Sequence, residues 1–186
     1  MVQRGGQGPG VDCGRTYTPA GLSQTTRIAL AIAVYEGWEL LQFDVQRAFL
    51  HASVQEEVSI KTPPPGYGSA GVAAGLPHVM KPKRGIYGLR WSPRIWFNTI
   101  NDSLEGMGFI ETTDVCVFTF GNSDVSSILT LYVDDLLPLG GNTPVLKELK
   151  RKQMERFTMT DAGDVSRVLG MKVTRDGEAG TLTIEV

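Results

Sequence analysis

The chain has 186 residues, enough for one domain with a sizeable core, and its 41% hydrophobic and 20% charged residues describe a soluble globular protein, not a disordered or fibrous one. The longest apolar run, Ile28 to Tyr35, is far shorter than the roughly 20 residues of a membrane span, and Met1-Val2-Gln3-Arg4-Gly5-Gly6 lacks the apolar core of a secretory signal. A formal net charge of -2 gives no bulk sign of a duplex-binding surface, and two cysteines without metal-ligand spacing, Cys13 and Cys116, fit a reduced intracellular setting.

Residues 1–21 are rich in Gly and Pro and read as loop. Ser23 is placed to cap a helix from about Thr25 to Glu36, with Ile28, Ala31, Ile32 and Tyr35 on one face and Gly37 as its stop. Trp38 to Val45 reads as a strand, followed by a short helical turn through Ala48, Phe49 and Leu50. Glu57 to Lys61 is a further strand candidate, closed by Pro63-Pro64-Pro65-Gly66 and a Gly- and Ala-rich loop over 66–77. Ser92-Pro93 resembles a capped helix start, and Trp96, Ile100, Leu104 and Met107 follow at helical spacing. Val115–Phe120, Ile128–Val133 and Leu136–Leu139 read as strands. Thr143 is placed to cap a helix from Pro144 to Phe157, and the tail suggests a hairpin around Asp176-Gly177, formed by Val168–Val173 and Leu182–Val186. The order predicts one α+β unit, a sheet with helices on one face.

Charge is uneven along the chain. Lys81, Lys83, Arg84, Arg90 and Arg94 form a basic stretch without an acid, whereas Lys147, Lys150, Arg151, Lys152 and Arg156 are diluted by Glu148 and Glu155. Either stretch can be a phosphate track or a plain solvated face.

Tyr132-Val133-Asp134-Asp135 sets two carboxylates between apolar runs, at the tip of a predicted hairpin. Aspartate is also a favoured turn residue, so this piece alone has an ordinary reading. Asp44 stands near the end of the strand Leu41-Gln42-Phe43-Asp44-Val45, in apolar surroundings where a carboxylate needs a partner. If that strand lies beside the hairpin, three carboxylates converge, and such an oxygen-rich site suits Mg²⁺ or Mn²⁺. Two ions about 4 Å apart can activate a 3′-hydroxyl and stabilise a leaving pyrophosphate.

The string Gln42-Phe43-Asp44-Val45-Gln46-Arg47-Ala48-Phe49-Leu50 resembles the first catalytic motif of copia-type LTR-retrotransposon reverse transcriptases. Gly85-Ile86-Tyr87-Gly88-Leu89-Arg90-Trp91-Ser92-Pro93-Arg94-Ile95-Trp96 resembles their template- and nucleotide-contacting motif, and Tyr132-Val133-Asp134-Asp135 their third motif. Asp161-Ala162-Gly163 through Leu169-Gly170-Met171 and the early Tyr17-Thr18-Pro19 are similar to further family segments, in the family's order.

The resemblance implies a polymerase palm, a split βαβ-like antiparallel sheet, with a partial fingers region, and an RNA-directed DNA polymerase. Asp44, Asp134 and Asp135 would be the catalytic acids and ligands of two Mg²⁺ (or Mn²⁺) ions. Phe49 would lie under the sugar and reject a 2′-hydroxyl sterically. Tyr87 and Gly88 would meet the incoming nucleotide, and Tyr132, Arg90 and Arg94 the primer and template. Implied partners are an RNA or DNA template with primer, deoxynucleoside triphosphates and other Pol polyprotein domains, with no membrane, in a cytoplasmic or particle-associated location.

Three features depart from the family. The upstream fingers strands are missing, Trp91 stands where a smaller polar residue is usual, and Pro138 interrupts the strand after the hairpin. With no thumb or RNase H region either, residues 1–186 read as a single truncated reverse transcriptase domain, a polyprotein fragment. The rival reading is an inactive retrotransposon remnant, at most a nucleic-acid-binding module. Another two-metal palm enzyme, such as a nucleotide cyclase, fits the carboxylates but has no need of Phe49 or the Tyr87–Pro93 motif.

Overall fold

The computed structural model describes residues 23–54, 81–121, 124–177 and 179–185. Cys13, Tyr17-Thr18-Pro19, the Glu57–Lys61 strand, the proline run after it and the 66–77 loop lie outside the described residues. Strands β1 (Glu39–Val45), β2 (Ile110–Glu111), β3 (Val117–Phe120), β4 (Ser127–Tyr132), β5 (Asp135–Gly140) and β6 (Met159–Asp164) form one sheet, in the order β2-β3-β4-β5-β1-β6. Every pairing in it is antiparallel. Among the described residues three helices accompany it, α1 (Ser23–Tyr35), α2 (Ser92–Glu105) and α3 (Thr143–Arg156), with a 3₁₀ turn at Ala48–His51. A second antiparallel sheet holds β7 (Arg167–Val168), β8 (Met171–Asp176) and β9 (Thr181–Glu185).

The side chains of β4 and β5 explain this arrangement. Nearly every residue of both strands is buried, so neither face can be left in water. On one face Phe43, Val45, Leu129, Leu131 and Leu136 pack with Trp96, Ile100 and Leu104 of α2, Leu149 of α3, and Phe157. On the other, Leu40, Ile128, Leu137 and Leu139 pack with Ala29, Leu30 and Ala33 of α1 and with Val165, Val168 and Val173. The helices therefore divide between the two faces, contrary to the expectation of one face. Each fully buried Leu, Ile or Phe contributes about 1.5–3 kcal/mol by transfer from water, so both layers are needed.

Helix α1 also turns the other way from the sequence expectation. Ile28, Ile32 and Tyr35 point outward, Tyr35 at 88% exposure, while Thr26, Ala29, Leu30 and Ala33 are buried. Small residues let the helix backbone approach the sheet closely, and the bulkier stripe is left outside.

Two predicted caps move by one residue. Asn142, not Thr143, caps α3, its side chain accepting from the Val145 N–H at 3.3 Å. Thr143 instead donates to Glu39 Oε1. At α2 the cap position is Trp91, without a side-chain bond, and Ser92 is the first helical residue. The Ser92 hydroxyl is used elsewhere, donating to the Ile86 carbonyl and accepting from the Ile86 N–H.

Strand β6 had no apolar alternation to reveal it. It is largely exposed and forms because the outer edge of β1 must place its backbone groups, with a bulge opposite Gln42/Phe43. The tail hairpin around Asp176-Gly177 is present, and β7 and β8 are separated by a turn at Leu169-Gly170. Pro138 sits in a central strand, not at an edge. β1 and β5 pair at Glu39–Gly140, Leu40–Leu139, Phe43–Leu136 and Asp44–Asp135, and the two positions between are skipped where proline has no N–H to give.

The far end of β5 is closely fitted. A Cβ on Gly140 would strike the Ser127 hydroxyl, lie 2.9 Å from its Cβ and 3.0 Å from the Ser126 carbonyl oxygen. Gly140→Ala is expected to destabilise the chain by about 2 kcal/mol through overpacking. Adding Ser127→Ala should recover part of that loss, both effects being read from urea midpoints.

Candidate active site

The β4–β5 hairpin turns in two residues, because Tyr132 and Asp135 face each other in register and only Val133 and Asp134 lie between. Val133 takes φ 56°, left-handed backbone that β-branched residues rarely adopt. In a type II′ hairpin the first loop position is normally glycine. Holding valine there costs of order 1–3 kcal/mol and requires support from the surroundings. Two hydrogen bonds supply it. The Trp96 indole N–H of α2 donates to the Val133 carbonyl at 2.5 Å, and the Val45 N–H of β1 donates to the Asp134 carbonyl at 2.9 Å.

The second bond also joins the hairpin tip to the end of the strand carrying Asp44. Asp44 lies directly across from Asp135 in the β1–β5 register. Burial raises the Asp134 carboxyl above the ordinary carboxylate range, its own backbone N–H partly opposes this, and the charge of Asp44 raises it further. Asp135 is raised likewise, by burial and then by the charges of Asp134 and Asp44, against a hydrogen bond from the Gln42 side chain. The three sequence-predicted acids therefore share one electrostatic field at one end of the sheet.

The 3₁₀ turn after β1 brings an aromatic pair to the same end. Phe49 is buried and its ring lies 4.5 Å from that of Tyr87, tilted by 43°. Tyr87 is 48% exposed. Burial, then the charges of Asp134 and Asp44, push its hydroxyl above the usual tyrosine range, so Tyr87 lies within the field of the carboxylates. The segment bearing Tyr87 is held by Ser92 at Ile86 and by a close approach at Gly85, where a Cβ would lie 2.6 Å from the Phe49 carbonyl oxygen. Gly88 follows with φ 103°, a conformation that favours glycine.

The remaining predicted residues are arranged less tightly. Tyr132 is half-exposed on the hairpin, Arg90 is exposed and Arg94 half-buried around the start of α2, and both arginines are engaged in contacts of their own. Trp91 is buried with Leu89 against Val54, Ile86 and Ile95, so this departure from the family is absorbed into a small core behind the Tyr87 segment. The basic stretch on α3 is an ion-paired surface. Arg151 bonds Glu148 and Glu155, Lys152 lies 3.6 Å from Glu148, and Lys150 bonds Asp161. A groove of about 870 Å³ lined by Trp38, Ile128, Gly141 and Asn142 sits at the other end of β1, away from the carboxylates.

Among the described residues no three His, Cys, Asp or Glu side chains are gathered into a ready-made metal cluster. The donor chemistry nonetheless fits Mg²⁺ or Mn²⁺, which are commonly held by one or two carboxylates with water and substrate phosphates completing the shell. Sequence reasoning missed the supports of the site, Trp96 and Gln42. Trp96 was legible only as a core position at helical spacing, and Gln42 as one letter of a motif.

The chain matches the family model described as reverse transcriptase (RNA-dependent DNA polymerase) over residues 1–185. It is 32% identical over 178 residues to the retrovirus-related Pol polyprotein from transposon RE2 of Arabidopsis thaliana, covering 94% of this chain and 12% of that protein. It is 32% identical over 173 residues to the corresponding polyprotein from transposon TNT 1-94 of Nicotiana tabacum, covering 91% of this chain and 13% of the relative. The transposon RE1 polyprotein of Arabidopsis thaliana is 29% identical over 178 residues, covering 94% of this chain and 12% of its own length. The chain thus spans about an eighth of the length of these relatives. No solved structure matches it. With its motifs in the family's order and the family model covering the chain almost from end to end, this protein belongs to the reverse transcriptases of copia-type retrotransposon Pol polyproteins.

Proposed function

We propose that the described sheet is a polymerase palm and that the chain is the core of an RNA-directed DNA polymerase, with Asp44, Asp134 and Asp135 holding two divalent cations. The observation that carries this reading is the shared field of the three acids beside the Phe49–Tyr87 pair. Bound cations would supply charge neutralisation and activation of the primer 3′-hydroxyl, with stabilisation of the leaving pyrophosphate. Template, primer and deoxynucleoside triphosphate are the corresponding partners, together with other domains of the polyprotein.

The chain's own residues then have distinct tasks. Asp44 and Asp134 supply hard oxygen ligands, and Asp135 is turned toward the Gln42 amide as a supporting acid. Phe49, fixed by burial and by contact with Tyr87, presents a rigid wall that an added 2′-hydroxyl would strike. Tyr87 and Gly88 form the surface against which the nucleotide lies, and Tyr132 is exposed beside the carboxylates to meet the primer end. Arg90 and Arg94 provide positive charge toward the nucleic-acid backbone.

Primer extension on poly(rA)/oligo(dT) with Mg²⁺ or Mn²⁺ tests the reading. Extension is expected with the parent chain and should fall by at least about a hundredfold in Asp134→Asn. A folded chain that extends nothing, even joined to the upstream segment of a relative, would overturn it. In Phe49→Val, ribonucleotide incorporation relative to deoxyribonucleotide should rise by about tenfold or more, since each 1.4 kcal/mol of lost discrimination is a factor of ten.

The raised carboxyls also predict a stability effect. A carboxyl whose pKa is raised by folding binds its proton more tightly in the folded chain, so its ionisation disfavours the fold above the folded pKa. That cost shrinks as pH falls below the folded pKa and is gone below the ordinary value of 3.8. Without divalent cations, Asp134→Asn should therefore stabilise the chain at neutral pH, by less than about 1 kcal/mol because the group is half-exposed. The gain should vanish in thermal melts below about pH 4. Added Mg²⁺ should raise the melting temperature of the parent chain more than that of the variant.

A further inference from the structure

The hairpin tip presents its two successive loop carbonyls to two different elements, and only one of the two donors is a side chain. The Asp134 carbonyl takes a backbone N–H from β1, as any sheet neighbour could provide. The Val133 carbonyl takes the indole N–H of Trp96, a residue far from the turn in sequence and 1% exposed. Trp96 is itself held in place. It stands edge-to-face with Phe157 at 5.2 Å, and Phe157 stands edge-to-face with His51 at 5.4 Å. Phe157 is the C-cap of α3, and His51 closes the 3₁₀ turn after β1. The donor thus comes from a locked ring on α2, the helix that follows the Tyr87–Arg94 segment.

We infer that Trp96 is a positioning residue for the reaction. Its indole N–H holds the Val133 carbonyl, keeps valine in the left-handed turn, and so fixes Asp134 beside Asp44. The N–H, not the bulk of the ring, makes the difference, because packing alone cannot satisfy a part-buried carbonyl that faces a buried ring. Valine relaxing toward ordinary backbone would rotate the peptide on which Asp134 hangs, and the two carboxylates would separate. The role in catalysis rests on the proposed reading of Asp134 as a metal ligand; the clamp itself does not.

The test uses the whole chain with Trp96 replaced by benzothienylalanine, an isostere with sulfur in place of the indole N–H, and with Trp96→Phe. Each is also made in a Val133→Gly background, where the left-handed turn carries no strain. Hydrogen exchange of the Val45 amide, which donates to the Asp134 carbonyl, is followed by NMR. Loss of the N–H should speed that exchange by at least about fivefold while amides elsewhere in β4 and β5 change by less than about twofold. Val133→Gly should remove most of the effect. Unchanged Val45 exchange in the isosteric chain, or acceleration that spreads through the ladder and persists with Val133→Gly, overturns the inference. Mn²⁺ binding, read by electron paramagnetic resonance, separates the two layers of the argument. Weaker binding by the isosteric chain, restored in the Val133→Gly background, supports both. A parent chain that binds no Mn²⁺, with the exchange result intact, would sink the metal reading and leave the clamp standing.

Discussion

Two residues of turn between two strands that are buried on both faces set the terms for the rest of this chain. Strands β4 and β5 lie at the centre of the main sheet, covered by α2 and α3 on one side and by α1 and the small sheet on the other. Their hairpin cannot shift its register by one residue without exchanging Leu129, Leu131 and Leu136 for the residues of the opposite core. The tip carrying Asp134 is therefore fixed in position by the burial of both strands. The fixation extends to Asp44, because β1 pairs with β5 through the same register that sets Asp44 against Asp135.

Repulsion is the cost of that arrangement. Burial raises Asp134 and Asp135, and the neighbouring negative charges raise them further. An ordinary fold would relieve such a cluster with a lysine or arginine. Here the described groups that oppose the shift are a backbone N–H at Asp134 and the Gln42 side chain at Asp135, neither of which carries charge. A carboxylate cluster whose shift is opposed, among the described residues, by uncharged groups alone is the feature on which the proposed cation-binding reading rests. The strained valine belongs to the same pattern, since both the backbone conformation and the charge cluster are unfavourable locally and are maintained by the cores on either side.

Around the acids, the accessory features serve rigidity. Ser92 gives up the capping role that its sequence position suggests and instead ties down Ile86, next to Tyr87. Gly85 lets that segment come against the Phe49 carbonyl more closely than any side chain would allow. Trp91, at odds with the family pattern, fills a small core behind the segment. Pro138 interrupts the ladder between β1 and β5 but leaves the pairs on either side intact, so Asp44–Asp135 is still formed.

The sequence by itself determined the family, the order of the motifs and the chemical nature of the acids, because these are carried by local strings such as Phe43-Asp44-Val45 and Tyr132-Val133-Asp134-Asp135. Helices α2 and α3, the hairpin and the 3₁₀ turn were also legible, since periodicity, proline placement and apolar runs act over short distances. Tertiary structure alone decided which face of α1 is buried, as the Ile28–Ile32–Tyr35 stripe and the Ala29–Leu30–Ala33 stripe are both apolar and only close approach to the sheet favours the smaller one. It alone produced β6, a polar edge strand that exists because β1 needs a partner. And it alone brought the Trp96 indole beneath the Val133 carbonyl, a contact between residues 37 positions apart that no local pattern encodes.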